Sequence, residues 1–162
     1  MIEHHAATVC RGHGEAEALV RGGVSDVLVS NQVVGEQKLR RLAALGTEAT
    51  VALCFDAAEQ VDAASRAATE ARVVIGGYVE IDVGMERCGI APGKAAATLA
   101  RRIADAPGLK FRGLQAYHGR AQHLPTYQQR AQAIASAVDA VRETLDALKA
   151  EGLECEIVAG AG

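Results

Sequence analysis

Six short apolar runs punctuate this chain, and their spacing restricts the folds open to it more than any other feature. The runs are Ala7–Cys10, Asp26–Asn31, Thr50–Asp56, Val73–Asp82, Phe111–Tyr117 and Cys155–Ala159. They are rich in Val, Ile and Leu and are continuous, the pattern of parallel strands covered on both faces. Segments with helical periodicity lie between them. Glu15–Val20 is short. Glu36–Leu45 aligns Leu39, Leu42 and Leu45 and stops at Gly46. Ala57–Ala71 is alanine-rich, with Val61 its one large apolar residue. Lys94–Ala106 places Ala96, Leu99, Ala100 and Ile103 on one face and ends at Pro107-Gly108. In Thr126–Ala150, Tyr127, Ala131, Ile134, Val138, Val141, Leu145 and Leu148 are spaced alternately by four and three. About three such heptads between two strands fit a long helix packed on a sheet better than a coiled coil.

Strand–helix alternation of this kind gives a parallel sheet with right-handed crossovers. The sheet is either doubly wound or part of a TIM-type barrel. Small, alanine-faced helices suit the close outer ring of a barrel. A complete barrel takes eight strands and about 250 residues. A chain of 162 residues with about six strands is therefore expected to form an α/β partial TIM (β/α) barrel. No linker or change of composition divides residues 1–162, which read as one domain.

Charge excludes some functions. Seventeen basic against 20 acidic residues give a net charge of −3, which argues against nucleic acid or an anionic membrane as partner. Cys10, Cys54, Cys88 and Cys155 show no CxxC spacing and read as reduced, buried thiols. Met1–His5 lacks a basic segment followed by an apolar run, so the expected location is the cytoplasm.

In either architecture ligands bind at the carboxyl ends of the strands. Asn31-Gln32, Asp56, Asp82, Tyr117-His118-Gly119 and Gly160-Ala161-Gly162 all fall there. Asp56, three residues before Glu59, has the pattern of a helix N-cap with a capping-box partner. Asn31 fits either a turn or a ligand contact. Asp82 fits either a ligand contact or an acceptor for the amides of the Gly84 turn. Arg87 lies in a glycine-flanked loop, where a fixed cation could hold an anion or tune a ring. Tyr117, one of only five aromatic residues, could stack, donate a hydrogen bond or transfer a proton. The glycines around Ala161 could cradle a phosphate. His118 and His123, and likewise His4, His5 and His13 with Cys10, have poor metal-ligand spacing, so no metal site is expected within the chain. There is no nucleophile elbow and no Walker loop.

Three motifs together resemble a known family. They are Val24–Gly35, Val79–Ile90 with its Gly84-Met85-Glu86-Arg87 core, and Gly113–Gly119 followed by Gln122-His123. They are similar to the D-threonine aldolase, 3-hydroxy-D-aspartate aldolase and D-serine dehydratase family, which carries the alanine-racemase-like barrel of fold-type III pyridoxal-phosphate enzymes. The resemblance spans about Ala7 to Gly162. It implies a pyridoxal 5′-phosphate cofactor contacted by Asn31, Arg87, Tyr117, Gly160 and Gly162, with Arg87 and Tyr117 as catalytic groups. It implies a small D-3-hydroxyamino acid substrate and a homodimer in the complete protein. It also implies a divalent metal in a C-terminal β domain that this chain lacks. The family's Schiff-base lysine belongs to an early strand, shortly before the equivalent of Ile2. Lys38, Lys94, Lys110 and Lys149, the four lysines, match no such position. The chain is thus expected to be the barrel portion of a lyase, cleaving D-threonine or 3-hydroxy-D-aspartate or dehydrating D-serine, and inactive in isolation. The alternatives are a non-catalytic fragment and a single-barrel pyridoxal-phosphate carrier.

Overall fold

A computed structural model describes residues 7–160. The strands are β1 (Thr8–Cys10), β2 (Asp26–Val29), β3 (Thr50–Phe55), β4 (Ile75–Glu80), β5 (Leu109–Gln115) and β6 (Ile157–Ala159). Helices α1 (His13–Arg21), α2 (Glu36–Leu45), α3 (Ala58–Ala71), α4 (Lys94–Asp105) and α5 (Tyr127–Ala150) separate them, and a single 3₁₀ turn spans Gly119–His123. Every strand pairs in parallel with its sequence neighbour, in the order β1 to β6. An unbroken sequential order with no reversal curls into a barrel wall, so the fold is the expected partial α/β barrel.

Side chains of alternate strand residues separate onto two faces. Val27, Val29, Val51, Leu53, Phe55, Ile75 and Val79 point outward into one core with Leu39, Leu42, Val61, Leu99 and Ile103 of the helices. Each such fully buried side chain contributes about 1.5–3 kcal/mol. The alanines of α3 and α4, among them Ala64, Ala68, Ala96 and Ala100, lie in the same core and let the helices sit close. The inner face carries a smaller cluster of Leu28, Ala52, Cys54 and Tyr78.

Strand β5 contains a bulge. Gly77 is opposite Phe111, but Tyr78 is opposite Gly113, which leaves Arg112 without a partner residue. Gly113 has φ +152°, and a Cβ there would run into the Ile157 carbonyl oxygen, so only glycine fits. The extra residue keeps Leu109 and Phe111 outward before it and Leu114 outward after it. Gln115 consequently stands beside Glu80 on the inner face.

Helix α5 departs from its expected packing. Only part of its apolar stripe is covered: Leu148 is buried, whereas Tyr127 is 80% and Val138 is 40% exposed. Thr144, fully buried, accepts from the Gly93 amide at 2.9 Å and donates to the Ala140 carbonyl, which ties α5 to the start of α4. A groove of about 430 Å³ remains between Ile134, Val138 and Val141 of the helix and Val158 of β6.

Candidate functional site

The carboxyl ends of the strands form one polar mouth, and Glu80 stands at its centre. Glu80 closes β4 in the inward register of Tyr78 and is 5% exposed. Its Oε2 accepts from Gln32 Nε2 at 2.6 Å and its Oε1 from the Cys88 thiol at 3.1 Å. A buried carboxylate is retained only where its oxygens are satisfied in this way.

The loop after β4 is built by its own backbone. The Ile90 amide donates to the Glu80 carbonyl at 2.9 Å and the Asp82 amide to the Ile90 carbonyl at 3.0 Å, which closes the loop at its neck. Asp82 Oδ1 accepts the amides of Gly84 at 2.9 Å and Glu86 at 3.1 Å. Partial burial pushes the Asp82 carboxyl up, but the backbone amides and nearby His118 outweigh it and hold it below the usual range. Asp82 is therefore the turn acceptor that one of its two readings expected.

Asp56 is not the N-cap expected from its spacing. The N-cap residue of α3 is Ala57, which has no side-chain oxygen to offer, and the reciprocal partner is Gln60, not Glu59. Gln60 Oε1 accepts the amides of Asp56 and Ala57, while its Nε2 donates to Asp56 Oδ1 at 2.7 Å. This frees Asp56 Oδ2 to accept the Gly89 amide at 3.0 Å. The side chain was taken up by the neighbouring loop, which a local capping pattern does not reveal.

Arg87 projects from this pinned loop. Its side chain is exposed, and Cys88 first, then Glu80 and Tyr117, push its pKa up, so it stays charged. Burial pushes the Cys88 thiol up and Glu80 adds to this, outweighing Arg87, so Cys88 stays protonated at neutral pH. Beneath it, burial pushes Cys54 far up as well. All four cysteines are free. Tyr117 follows β5, and its hydroxyl accepts from Gln122 Nε2 at 3.0 Å. His118 is buried, and its Nδ1 has no hydrogen-bond partner among the described residues.

Of the residues expected at the site, Arg87 and Tyr117 follow the neighbouring strands β4 and β5 at the mouth. Asn31 stands exposed at the rim beside Gln32. Gly160 follows β6 and packs on Ala116, where a Cβ would strike the Ala116 carbonyl oxygen. Gly162 and Ala161, with His4 and His5, lie outside the described residues. None of the four lysines belongs to the mouth. Lys38, Lys94 and Lys149 are on α2, α4 and α5, and Lys110 at the start of β5 pairs with Glu156 at 2.8 Å. Sequence reasoning missed Glu80, Cys88 and Gln115 as site residues. The legible signal was an acidic residue in an otherwise apolar strand, two positions from Tyr78 on the same face.

A parallel α/β barrel wall whose polar groups gather at the carboxyl mouth defines the class. The chain belongs to the alanine racemase N-terminal domain family, which matches residues 3–162. It is 43% identical over 154 residues to 3-hydroxy-D-aspartate aldolase of Paracoccus denitrificans (strain Pd 1222), covering 94% of this chain and 40% of that one. D-threonine aldolase of an Arthrobacter species is 36% identical over 153 residues, with the same coverage. The crystal structure of D-threonine aldolase from Filomicrobium marinum superposes with a TM-score of 0.95 at 41% identity, over 98% of this chain and 43% of that chain. The chain thus spans about two fifths of the length of these relatives. Alanine racemase from Bacillus anthracis shares the fold, with a TM-score of 0.72 at 22% identity.

Proposed function

We propose that this chain is the barrel wall of a pyridoxal-phosphate-dependent lyase acting on D-3-hydroxyamino acids. The observation that carries the reading is the mouth itself: Arg87 after β4 and Tyr117 after β5, on a wall similar throughout to D-threonine aldolase. Aldol cleavage is favoured over dehydration, because two relatives above 35% identity are named as aldolases.

The residues present fit the cofactor in part. Gly160 follows β6 at the carboxyl mouth, the end at which a glycine turn would hold a phosphate. Arg87 supplies a permanent cation for the ring, and Tyr117 a hydroxyl that holds or moves a proton at its oxygen. Asn31 offers an amide at the rim. Bound pyridoxal phosphate supplies the electron sink for cleavage at the substrate's Cα. The anchoring amine is what these residues do not provide, because the four lysines lie elsewhere. The described residues also hold no group of three His, Cys, Asp or Glu side chains able to bind a metal, so no metal step is assigned to them. The lysine and the divalent metal are assigned to parts of the complete enzyme outside residues 7–160. That enzyme is assigned to the cytoplasm and to a homodimer, and no helix among the described residues is long and apolar enough to cross a membrane.

The lysine positions favour a second statement about the 162-residue chain by itself: alone it is non-catalytic. Incubation with pyridoxal phosphate, borohydride reduction and peptide mapping will show no stoichiometric adduct at a single lysine. Joined to its flanking coding sequence, it will release glyoxylate from 3-hydroxy-D-aspartate or acetaldehyde from D-threonine. A defined lysine adduct in the isolated chain would overturn the second statement. An extended protein that binds pyridoxal phosphate but cleaves neither substrate would overturn the first and favour a carrier.

A further inference from the structure

We propose that Glu80 is a positioning residue whose buried carboxylate ties the loop after β2 to the Asp82–Gly89 loop and thereby fixes where Arg87 stands. Three elements meet at this one side chain. Gln32 comes from the loop after β2, Cys88 from the loop after β4, and the Glu80 backbone carbonyl receives the Ile90 amide that closes the latter loop. Arg87 directly precedes Cys88, so the tie at Cys88 fixes the backbone from which the guanidinium projects. Asp56 holds the same loop from the β3 side through Gly89.

The chemistry of the tie requires a carboxylate. Both oxygens accept, one from an amide nitrogen and one from a thiol. A carboxamide of the same shape has one acceptor oxygen and turns an N–H toward the other donor. Glu80→Gln therefore breaks one of the two ties without changing volume. Glu80→Asp keeps both acceptors and the charge at a shorter reach. The role assigned to Arg87 rests on the proposed function, but its placement by Glu80 does not, and the two are tested separately.

The measurements are the ¹⁵N–¹H signal of the Arg87 backbone amide and hydrogen exchange at the Ile90 amide, in the 162-residue chain without cofactor. In the native chain the Arg87 signal is expected to be resolved and the Ile90 amide, bonded to the Glu80 carbonyl, to exchange slowly. In Glu80→Gln the Arg87 signal is expected to shift and broaden, with Ile90 exchange at least tenfold faster, and in Glu80→Asp both return in part. A second readout separates positioning from simple loosening. The charged and titratable groups around the Cys88 thiol are Glu80, Arg87 and Cys54. In Glu80→Gln alkylation speeds at Cys88 alone while Cys54, buried in the inner cluster, stays unreactive, whereas mere loosening speeds alkylation at both thiols. Should Glu80→Gln fail to fold, Gln32→Ala frees the other oxygen and is expected to broaden the Arg87 signal with Cys54 still unreactive. An Arg87 signal unchanged in whichever of these variants folds overturns the proposal. Failure of the extended enzyme to bind pyridoxal phosphate overturns the proposed function and leaves this result standing.

Discussion

On its outer face the sheet shows the helices Val27, Leu53, Phe55, Ile75 and Val79; on its inner face it shows Leu28, Ala52, Cys54 and Tyr78, then Glu80 and Gln115. The outer set is large, apolar and covered from end to end. The inner set is smaller and turns polar toward the carboxyl ends. One ribbon of backbone thus carries stability on one side and chemistry on the other, because successive residues point in opposite directions. Residues can change on one face while the other stays in register.

The sharpest way to break this contrast is to hollow out the outer face. Phe55→Ala is expected to cost about 4 kcal/mol, read from urea unfolding, because the ring is 1% exposed in the main core. A loss under about 1 kcal/mol would show that the helices do not carry the stability. Next comes the converse. Arg87→Ala should leave the urea midpoint within about 0.5 kcal/mol, since the side chain is exposed. In the extended enzyme it should lower kcat/KM by about a hundredfold, on the order of 2.7 kcal/mol of barrier. Equal losses in stability and activity would erase the division between faces. Gly77→Ala tests the fit of helix to sheet, since its Cβ would lie 2.6 Å from Ile103 Cγ2. Overpacking of this kind should cost about 2 kcal/mol in the same unfolding experiment. On the inner face Cys54→Ala should cost only about 1 kcal/mol, by the small apolar area it removes. The smallest effect belongs to pH. The Asp82 carboxyl is held below its ordinary 3.8, so its stabilisation of the loop is present above that value and lost as pH falls through the lower one. Hydrogen exchange at the Gly84 and Glu86 amides should accelerate there, beyond the intrinsic pH trend, and Asp82→Asn should abolish that acceleration.

Most of the fold was legible in the sequence, since continuous Val/Ile/Leu runs and heptad-like stripes are local patterns. The six runs became the six strands, and Glu36–Leu45 matches its helix at both ends. The helix after Asp56 begins one residue later than expected because Gln60 takes the capping role. The stripe on α5 predicted a covered face, yet Tyr127 and Val138 remain exposed, because periodicity reports which residues could be buried and not what stands opposite them. The site was less legible. Arg87 and Tyr117 lie in recognisable motifs, but Gln32 meets Glu80 only because the sheet brings positions 48 residues apart to one mouth, and Cys88 returns to it only through the closed loop after β4. A pairing of that range has no signature in either segment alone.

The bulge at Arg112 and Gly113 gives strand β5 a phase. Loops such as the one between β1 and α1 can gain or lose a residue and merely change length. Flattening the bulge with its residue count unchanged, as a side chain at Gly113 would force, would instead exchange inside for outside in everything that follows, sending Gln115 under the helices and Leu114 into the mouth. Tyr117, two residues further on, would inherit the same inversion. Descendants of this chain can therefore drift freely in loop length, whereas in this one strand the bulge and its extra residue must be inherited, or lost, together.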